Sequence, residues 1–264
     1  MNNYYLSEAI LAHRQIEDYF FSSISQMYQH IGNGVRAYVT GVETHALNFL
    51  LVADECGQTA KDLKMGIRLL DEKINVPFSI VVMEPDSMEP DNQILAAIQQ
   101  EGFVFDPDSI TTAMELDLTS WQVKDGNAAG YKIRRADHCL ADWAIPIESA
   151  FETGGSISEQ YLKCHQAALD AGKCLYHYAL YVDGQPVCSL TLSRLGNIVR
   201  LDEISTVVDK QRRGYASTLI NHVLSEAKQH GATACYLDAS RDGNGLYQSI
   251  GFKPLFEYQG FMRE

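Results

Sequence analysis

The stretch Asp209-Lys210-Gln211-Arg212-Arg213-Gly214-Tyr215-Ala216 joins an apolar segment at 198–208, read as a long strand, to the clearest helix of the chain. Beyond it Ala216, Leu219, Ile220, Val223, Leu224 and Ala227 recur at helical spacing on one face, and Gly231 supplies the stop. A chain passing from strand to helix in this way aims several unpaired backbone N–H groups, and the positive end of the helix dipole, at one spot. Such a spot is an anion site suited to a pyrophosphate. Gly214 and Ala216 lack bulk where a phosphate must approach the backbone, and Arg212 and Arg213 can add charge-assisted bonds. Taken alone, these residues serve an ordinary strand-to-helix turn equally well.

Working outward, the spacing predicts strands over 131–135, 175–182, 186–193 and 233–239, helices over 140–151, 158–171 and 243–250, and a last strand running toward Phe261. The second half is thus a complete mixed α/β unit. Its predicted short helix carries Leu246-Tyr247-Gln248-Ser249-Ile250-Gly251-Phe252, a tyrosine one turn from a Gly-Phe stop.

Together these two segments resemble the GNAT superfamily of acyl-CoA-dependent N-acetyltransferases. Gln211 to Ala216 fits its Q/R-x-x-G-x-G/A loop, with Ala in the last place, and Leu246 to Phe252 fits its Leu-Tyr-x-x-x-Gly-Phe segment. The sequence has no Walker loop, HExxH, G-x-S-x-G or GxGxxG to compete with it. The resemblance covers about 131–264 and implies a mixed, mostly antiparallel sheet flanked by helices, with acetyl-CoA as cosubstrate and no metal. It implies that backbone groups of Ile204, Ser205 and Thr206 pair with the pantetheine arm and hold the thioester carbonyl. The N–H groups of Arg212, Arg213, Gly214, Tyr215, Ala216 and Ser217 are expected to cradle the pyrophosphate. Ser240 stands where many members carry an Asn that contacts the cofactor.

Tyr247 falls on the position that in many members protonates the departing CoA thiolate. The attacking amine must be neutral, and Asp202 and Glu203 sit on the strand that supplies a base in some relatives. Strand alternation puts one of the two on the site face, and Glu203 is preferred. Among the histidines, His222 and His230 read as exposed or helix-capping, while His165 and His177 lack a carboxylate or cysteine at ligand spacing. Cys235 reads as packing.

Residues 1–122 read as a degenerate GNAT-like domain, and 130–264 as the catalytic one, with the connector 123–130 between them. Ile10, Leu11, Ile16, Tyr19, Phe20, Ile24 and Met27 predict helix from 6 to about 30, as one long piece or two short ones. A strand over 46–53, a helix over 59–74, a strand over 78–83, a helix over 93–100 and strand character from Phe103, resuming at 111–118, repeat the order of the second half. The loop after Ala53 reads Asp54-Glu55-Cys56-Gly57-Gln58-Thr59-Ala60. Its two acids stand where a pyrophosphate would sit, so cofactor binding there is not expected. The repeated Met-Glu-Pro-Asp of 83–91 reads as a turn and helix cap rather than a cation site.

Composition narrows the function classes. The chain has 264 residues, 46% apolar and 21% charged, with a net charge of −13. A surface of that sign repels nucleic acid and anionic membranes and suits a cationic small molecule or a Lys-bearing peptide. Six scattered cysteines without a CxxC pair read as reduced thiols. With no apolar run of spanning length and no signal-peptide core over 1–15, a cytoplasmic protein is expected. The expected activity is transfer of the acetyl group of acetyl-CoA to a primary amine by direct attack in a ternary complex. Polyamine, aminoglycoside, amino acid and protein N-terminus are all open as acceptors, and the alternative is a non-catalytic acyl-CoA-binding or regulatory protein.

Overall fold

The computed structural model describes residues 7–53, 58–84, 92–123, 130–151 and 154–263. Most of the acidic loop with Cys56, most of the Met-Glu-Pro-Asp repeat and most of the connector lie outside the described residues.

The first half runs α1 (Glu8–Ile24), β1 (Met27–Ile31), β2 (Val35–Val39), β3 (Asn48–Val52), α2 (Thr59–Lys73), β4 (Ser79–Glu84), α3 (Asn92–Gln100) and β5 (Val104–Asp117). The second runs β6 (Tyr131–Arg135), α4 (Leu140–Phe151), α5 (Gly154–Asp170), β7 (Leu175–Val182), β8 (Gln185–Leu195), β9 (Ile198–Thr206), α6 (Tyr215–Gln229), β10 (Ala234–Ser240), α7 (Asn244–Ile250) and β11 (Lys253–Met262). From α1 to β5 and from α5 to β11 the order of helices and strands is the same, so the chain repeats one unit and prefaces the second copy with β6 and α4.

The halves are fused into one eleven-stranded sheet of order β1-β2-β3-β4-β11-β5-β10-β9-β8-β7-β6. Each half gives its last strand to the other: β5 lies against β10, β11 against β4, and the two pair with each other at the centre. All pairs are antiparallel except β3 with β4 and β9 with β10, so the sheet is mixed and mostly antiparallel. On one face α6 and α7 bury Leu219, Val223, Leu224 and Ile250 against Val199, Leu201 and Leu237, while α2 and α3 do the same over the first half.

The other face is closed by α1, α4 and α5, with Phe20, Trp143, Tyr161 and Cys164 in one cluster. Helix α1 belongs to the first half yet packs against β8, β9 and β10 of the second, so it roofs the region between the halves.

One local expectation is corrected. The helix expected to run to about 30 stops at Ile24. The hydroxyls of Ser22, Ser23 and Ser25 turn back to donate to the carbonyls of Tyr19, Tyr19 and Phe21, offering the backbone a local alternative partner, and Ser25 is already extended. Met27 therefore belongs to β1, where it pairs with Val39. Strand β2 was not announced by spacing because four of its five residues are buried, which erases the polar half of the alternation.

Candidate active site

The parallel neighbours β9 and β10 pair over Ile198, Val199 and Arg200 against Ala234, Cys235 and Tyr236 and no further, so the two strands part beyond that point. The equivalent strands of the first half, β3 and β4, stay paired from Phe49 with Ser79 to Val52 with Val82. The wedge is thus a property of the second half. Ile204, Ser205 and Thr206 lie on its β9 wall; Ser205 and Thr206 pair with β8 on their other side, leaving the edge toward β10 without a ladder partner.

A bulge shapes this wall. Between the pairs Ser189 with Ser205 and Thr191 with Asp202, β9 carries one extra residue, and Glu203 adopts left-handed backbone at φ +56°. The expectation that alternation places one carboxylate on the site face is corrected by this geometry. Asp202 accepts from Arg200, which lies over the Phe21 ring of α1, while Glu203 accepts from Tyr161 of α5. Both therefore project to the face covered by α1 and α5.

After β9 a single 3-10 turn at Val208–Lys210 leads into the loop. Arg212 and Gly214 have positive φ, +58° and +82°, on either side of Arg213, an alternation of the kind that can turn successive N–H groups toward one point. Gly214 is the N-cap of α6, so the N–H groups of Tyr215, Ala216 and Ser217 start the helix without intrahelical acceptors. A Cβ on Gly214 would meet no protein atom, so its left-handed backbone, rather than crowding, calls for glycine. Arg212 and Arg213 are exposed, and Arg213 donates to the Asp209 carbonyl at 3.1 Å, which ties its guanidinium to the loop.

Tyr247 is buried on α7 and lines the cleft with Asp202, Ile204 and Ser240. Its ring lies over Gly243, where a Cβ would stand 2.9 Å from it, and burial pushes its phenol well above the ordinary range. The Ser240 hydroxyl accepts from the Gly243 N–H at 3.2 Å, so it holds the turn that aims α7.

The wedge opens into a cleft of about 520 Å³ between the halves, with Phe49, Val81 and Tyr258 on one side and Leu201, Ile204 and Tyr247 on the other. Its polar lining is acidic: Glu17, Asp106, Asp202, Glu203 and Asp238 face one guanidinium, Arg200. Arg200 is buried and donates to Asp202 at 2.8 Å and to Asp238 at 2.6 Å, and its Nη1 lies 3.3 Å from His13 Nε2. Against the push of burial, Arg200 and His13 hold Asp238 well below the carboxylate range. Burial carries Asp202 the other way, to about 8; Glu203 and Asp238 add to the rise and Arg200 opposes it. His13, Glu17 and Asp238 present one ligand atom each within 4.8 Å of one another, a spacing a metal could use. Arg200 already supplies the positive charge there, so these donors do not fit a resident cation.

Sequence reasoning missed His165, His177 and Asp137. The fold brings His165 Nε2 to 3.1 Å from Glu203 and His165 Nδ1 to 2.8 Å from His177 Nε2, with His177 Nδ1 3.0 Å from Asp137. Opposing the upward push of burial, His165, Thr191 and Tyr161 keep Glu203 below its ordinary value. The readable signal was Tyr161 and His165, one helical turn apart on the buried stripe of α5. His222 and His230 are exposed, His230 bonding the Glu226 carbonyl, and Cys235 is buried in the sheet.

Residues 156–261 match the family model described as an acetyltransferase (GNAT) domain, a span that coincides with the repeated unit from α5 to β11. Among solved structures, a GCN5-related N-acetyltransferase from Kribbella flavida superposes with a TM-score of 0.66 at 14% identity, covering 98% of this chain and 96% of that one. A GCN5-related N-acetyltransferase from Sphaerobacter thermophilus gives 0.61 at 16% identity over 88% and 76% of the two chains. A tandem GNAT protein from the clavulanic acid biosynthesis pathway gives 0.58 at 13% identity over 86% and 77%. At these identities the likeness is one of fold. No curated protein matches the sequence. Among the described residues no helix is long and apolar enough to cross a membrane.

Proposed function

We propose that this chain, whose residues 156–261 match the acetyltransferase (GNAT) domain model, transfers the acetyl group of acetyl-CoA to a primary amine by direct attack within the cleft between its halves. The observation that carries the reading is the wedge between β9 and β10. It opens in the second half, beside the loop of Arg212 to Ser217, and stays closed in the first. Acetyl-CoA would supply an activated thioester. The N–H groups of this loop and of the first turn of α6 would hold its pyrophosphate, and the free edge of Ile204 to Thr206 its pantetheine arm.

On this reading the acidic cleft draws in a cationic acceptor, and its apolar walls take the carbon skeleton. Glu203 is the base we assign: its Oε2 is buried and has no protein hydrogen bond among the described residues, whereas both oxygens of Asp202 accept from Arg200. Tyr247, on α7, would protonate the departing thiolate, and a phenol kept neutral by burial can donate. The first half roofs the acceptor space through α1 and lends β11 a partner in β4.

Isothermal titration of acetyl-CoA tests the reading, with the double variant Arg213→Glu, Gly214→Glu as control. Micromolar binding by the wild type that the double variant loses, followed by CoA release with a panel of amines, supports it. Failure of the folded wild type to bind overturns it.

A further inference from the structure

The protons of the buried contacts between Glu203 and Asp137 can be placed by elimination. Asp137 Oδ1 accepts from the backbone N–H of His177 at 2.8 Å and lies 3.0 Å from His177 Nδ1. A carboxylate accepts, so His177 carries its proton on Nδ1 and its Nε2 is bare. That Nε2 lies 2.8 Å from His165 Nδ1, which must therefore be the donor. His165 Nε2 then faces Glu203 Oε1, an oxygen that already accepts from Tyr161. Two bare acceptors at 3.1 Å would repel, so the array carries one further proton, shared between Glu203 and His165.

We infer that Glu203, His165, His177 and Asp137 form a proton exit from the cleft to the protein surface. The array starts at the cleft lining and ends at a carboxylate whose side chain is 16% exposed and bonded to the exposed Arg135. Its middle is dry: both imidazoles are fully buried, with the Trp143 ring 4.5 Å from His165 and 4.9 Å from His177, and Phe20 beyond. A proton leaving this way passes along side chains.

The other titratable groups are accounted for by element. Helix α5 presents Tyr161 and Cys164, and β9 presents Asp202 and Arg200; the end of β6 presents Arg135 and the turn after it Asp137. Beyond Arg200 stand Asp238 of β10 and His13 and Glu17 of α1. Burial keeps His177 from holding charge, as suits a station through which a proton passes.

The inference rests on the acetyltransferase reading for its purpose and balances as a transfer. The ammonium acceptor gives one proton to Glu203 Oε2, and its nitrogen keeps the lone pair that attacks. His165 passes its Nδ1 proton to His177 Nε2, His177 passes its Nδ1 proton to Asp137, and Asp137 releases it to water. The array keeps its number of protons, and it is reset when both imidazoles turn over and Glu203 passes its proton to the bare nitrogen of His165, which returns every proton to its starting position.

Asp137→Asn keeps an acceptor for the His177 N–H but cannot pass a proton on. At low buffer its turnover should fall roughly tenfold to a hundredfold, and it should recover as imidazole or formate buffer is raised, with acetyl-CoA affinity unchanged. Wild-type turnover at low buffer, or a loss that buffer does not restore, overturns the proposal. Independently of activity, 15N NMR of the wild-type histidine side chains should show His177 neutral with its proton on Nδ1 and His165 carrying a proton on Nδ1. A His177 protonated on Nε2 overturns the array by itself. If no amine is acetylated by the wild type, the functional reading fails while the NMR result still decides the array.

Discussion

Asp202 and Glu203 are neighbours in sequence whose carboxylates leave β9 on the same side, because Glu203 takes left-handed backbone at φ +56° as the extra residue of a bulge. In a regular strand one of them would point into the α6 core. The bulge instead gives the cleft two carboxylates with different surroundings, one bonded to a guanidinium and one to a phenol and an imidazole. Environments of this kind push neighbouring acids apart in pKa, which is how one wall can hold both a structural and a reacting group.

Glu203→Gln should therefore separate binding from chemistry. The amide keeps the size of the side chain and an acceptor for Tyr161, so acetyl-CoA affinity measured by titration should stay within about twofold. Turnover should drop roughly a hundredfold or more, the range for loss of a general base. Equal losses in affinity and turnover would mean the substitution disturbed the bulge.

Tyr247→Phe should behave in a parallel way on α7. The ring still lies over Gly243 and packs against Phe252, while the donor is lost. Steady-state kinetics should show kcat reduced with little change in KM for acetyl-CoA, and the residual rate should be higher with acyl donors whose thiol leaves more readily.

Asp202 predicts a slope in stability against pH. Its carboxyl rises from an ordinary 3.8 to about 8 in the folded chain, so between those values the folded state binds more protons than the unfolded state. The stability this contributes is fully present below pH 3.8 and is lost as pH rises through about 8. Urea unfolding of Asp202→Asn should give a flatter profile across that window than the wild type. Identical slopes would place the rise on another group.

The helix with its preceding loop, the short tyrosine-bearing helix and most strands were legible because each is a local matter of spacing, a cap or a glycine. The exchange of β5 and β11 was not, since both strands read the same whichever half they join. Nor was the chain from Glu203 to Asp137: its members come from β9, α5, β7 and the turn after β6, and what unites them is the register that sets His177 beside Thr191 and Thr191 beside Asp202. The bulge at Glu203 was hidden for a further reason, because no glycine marks it.

Gly214→Ala tests the loop without adding charge. A Cβ there meets no atom, so the cost is that of holding an L-residue at φ +82°, about 1–2 kcal/mol. If the loop keeps its shape, the variant loses about that much in unfolding free energy and binds acetyl-CoA normally. If it relaxes to negative φ, stability is spared, the alternation is lost and affinity falls. A melting curve and a titration on the same sample distinguish the two, and the second outcome is expected, because the exposed loop is free to relax.

Arg200 holds the halves together at the charge cluster, where it compensates Asp202 and Asp238 and lies near Glu17. Arg200→Leu fills part of the volume but leaves the ionised Asp238 buried without its counter-charge, Asp202 being largely protonated at neutral pH already. Removing one member of a buried ion pair typically costs about 3–5 kcal/mol, and that loss should appear in urea unfolding at neutral pH. Part should return on acidification, as protonation neutralises Asp238, which has lost the neighbour that kept it ionised. Pairing Arg200→Leu with Asp238→Asn should restore more stability than the sum of the single effects allows. Strict additivity would mean that Arg200 stabilises the cleft through its aliphatic stem and its contact with Phe21 rather than through charge.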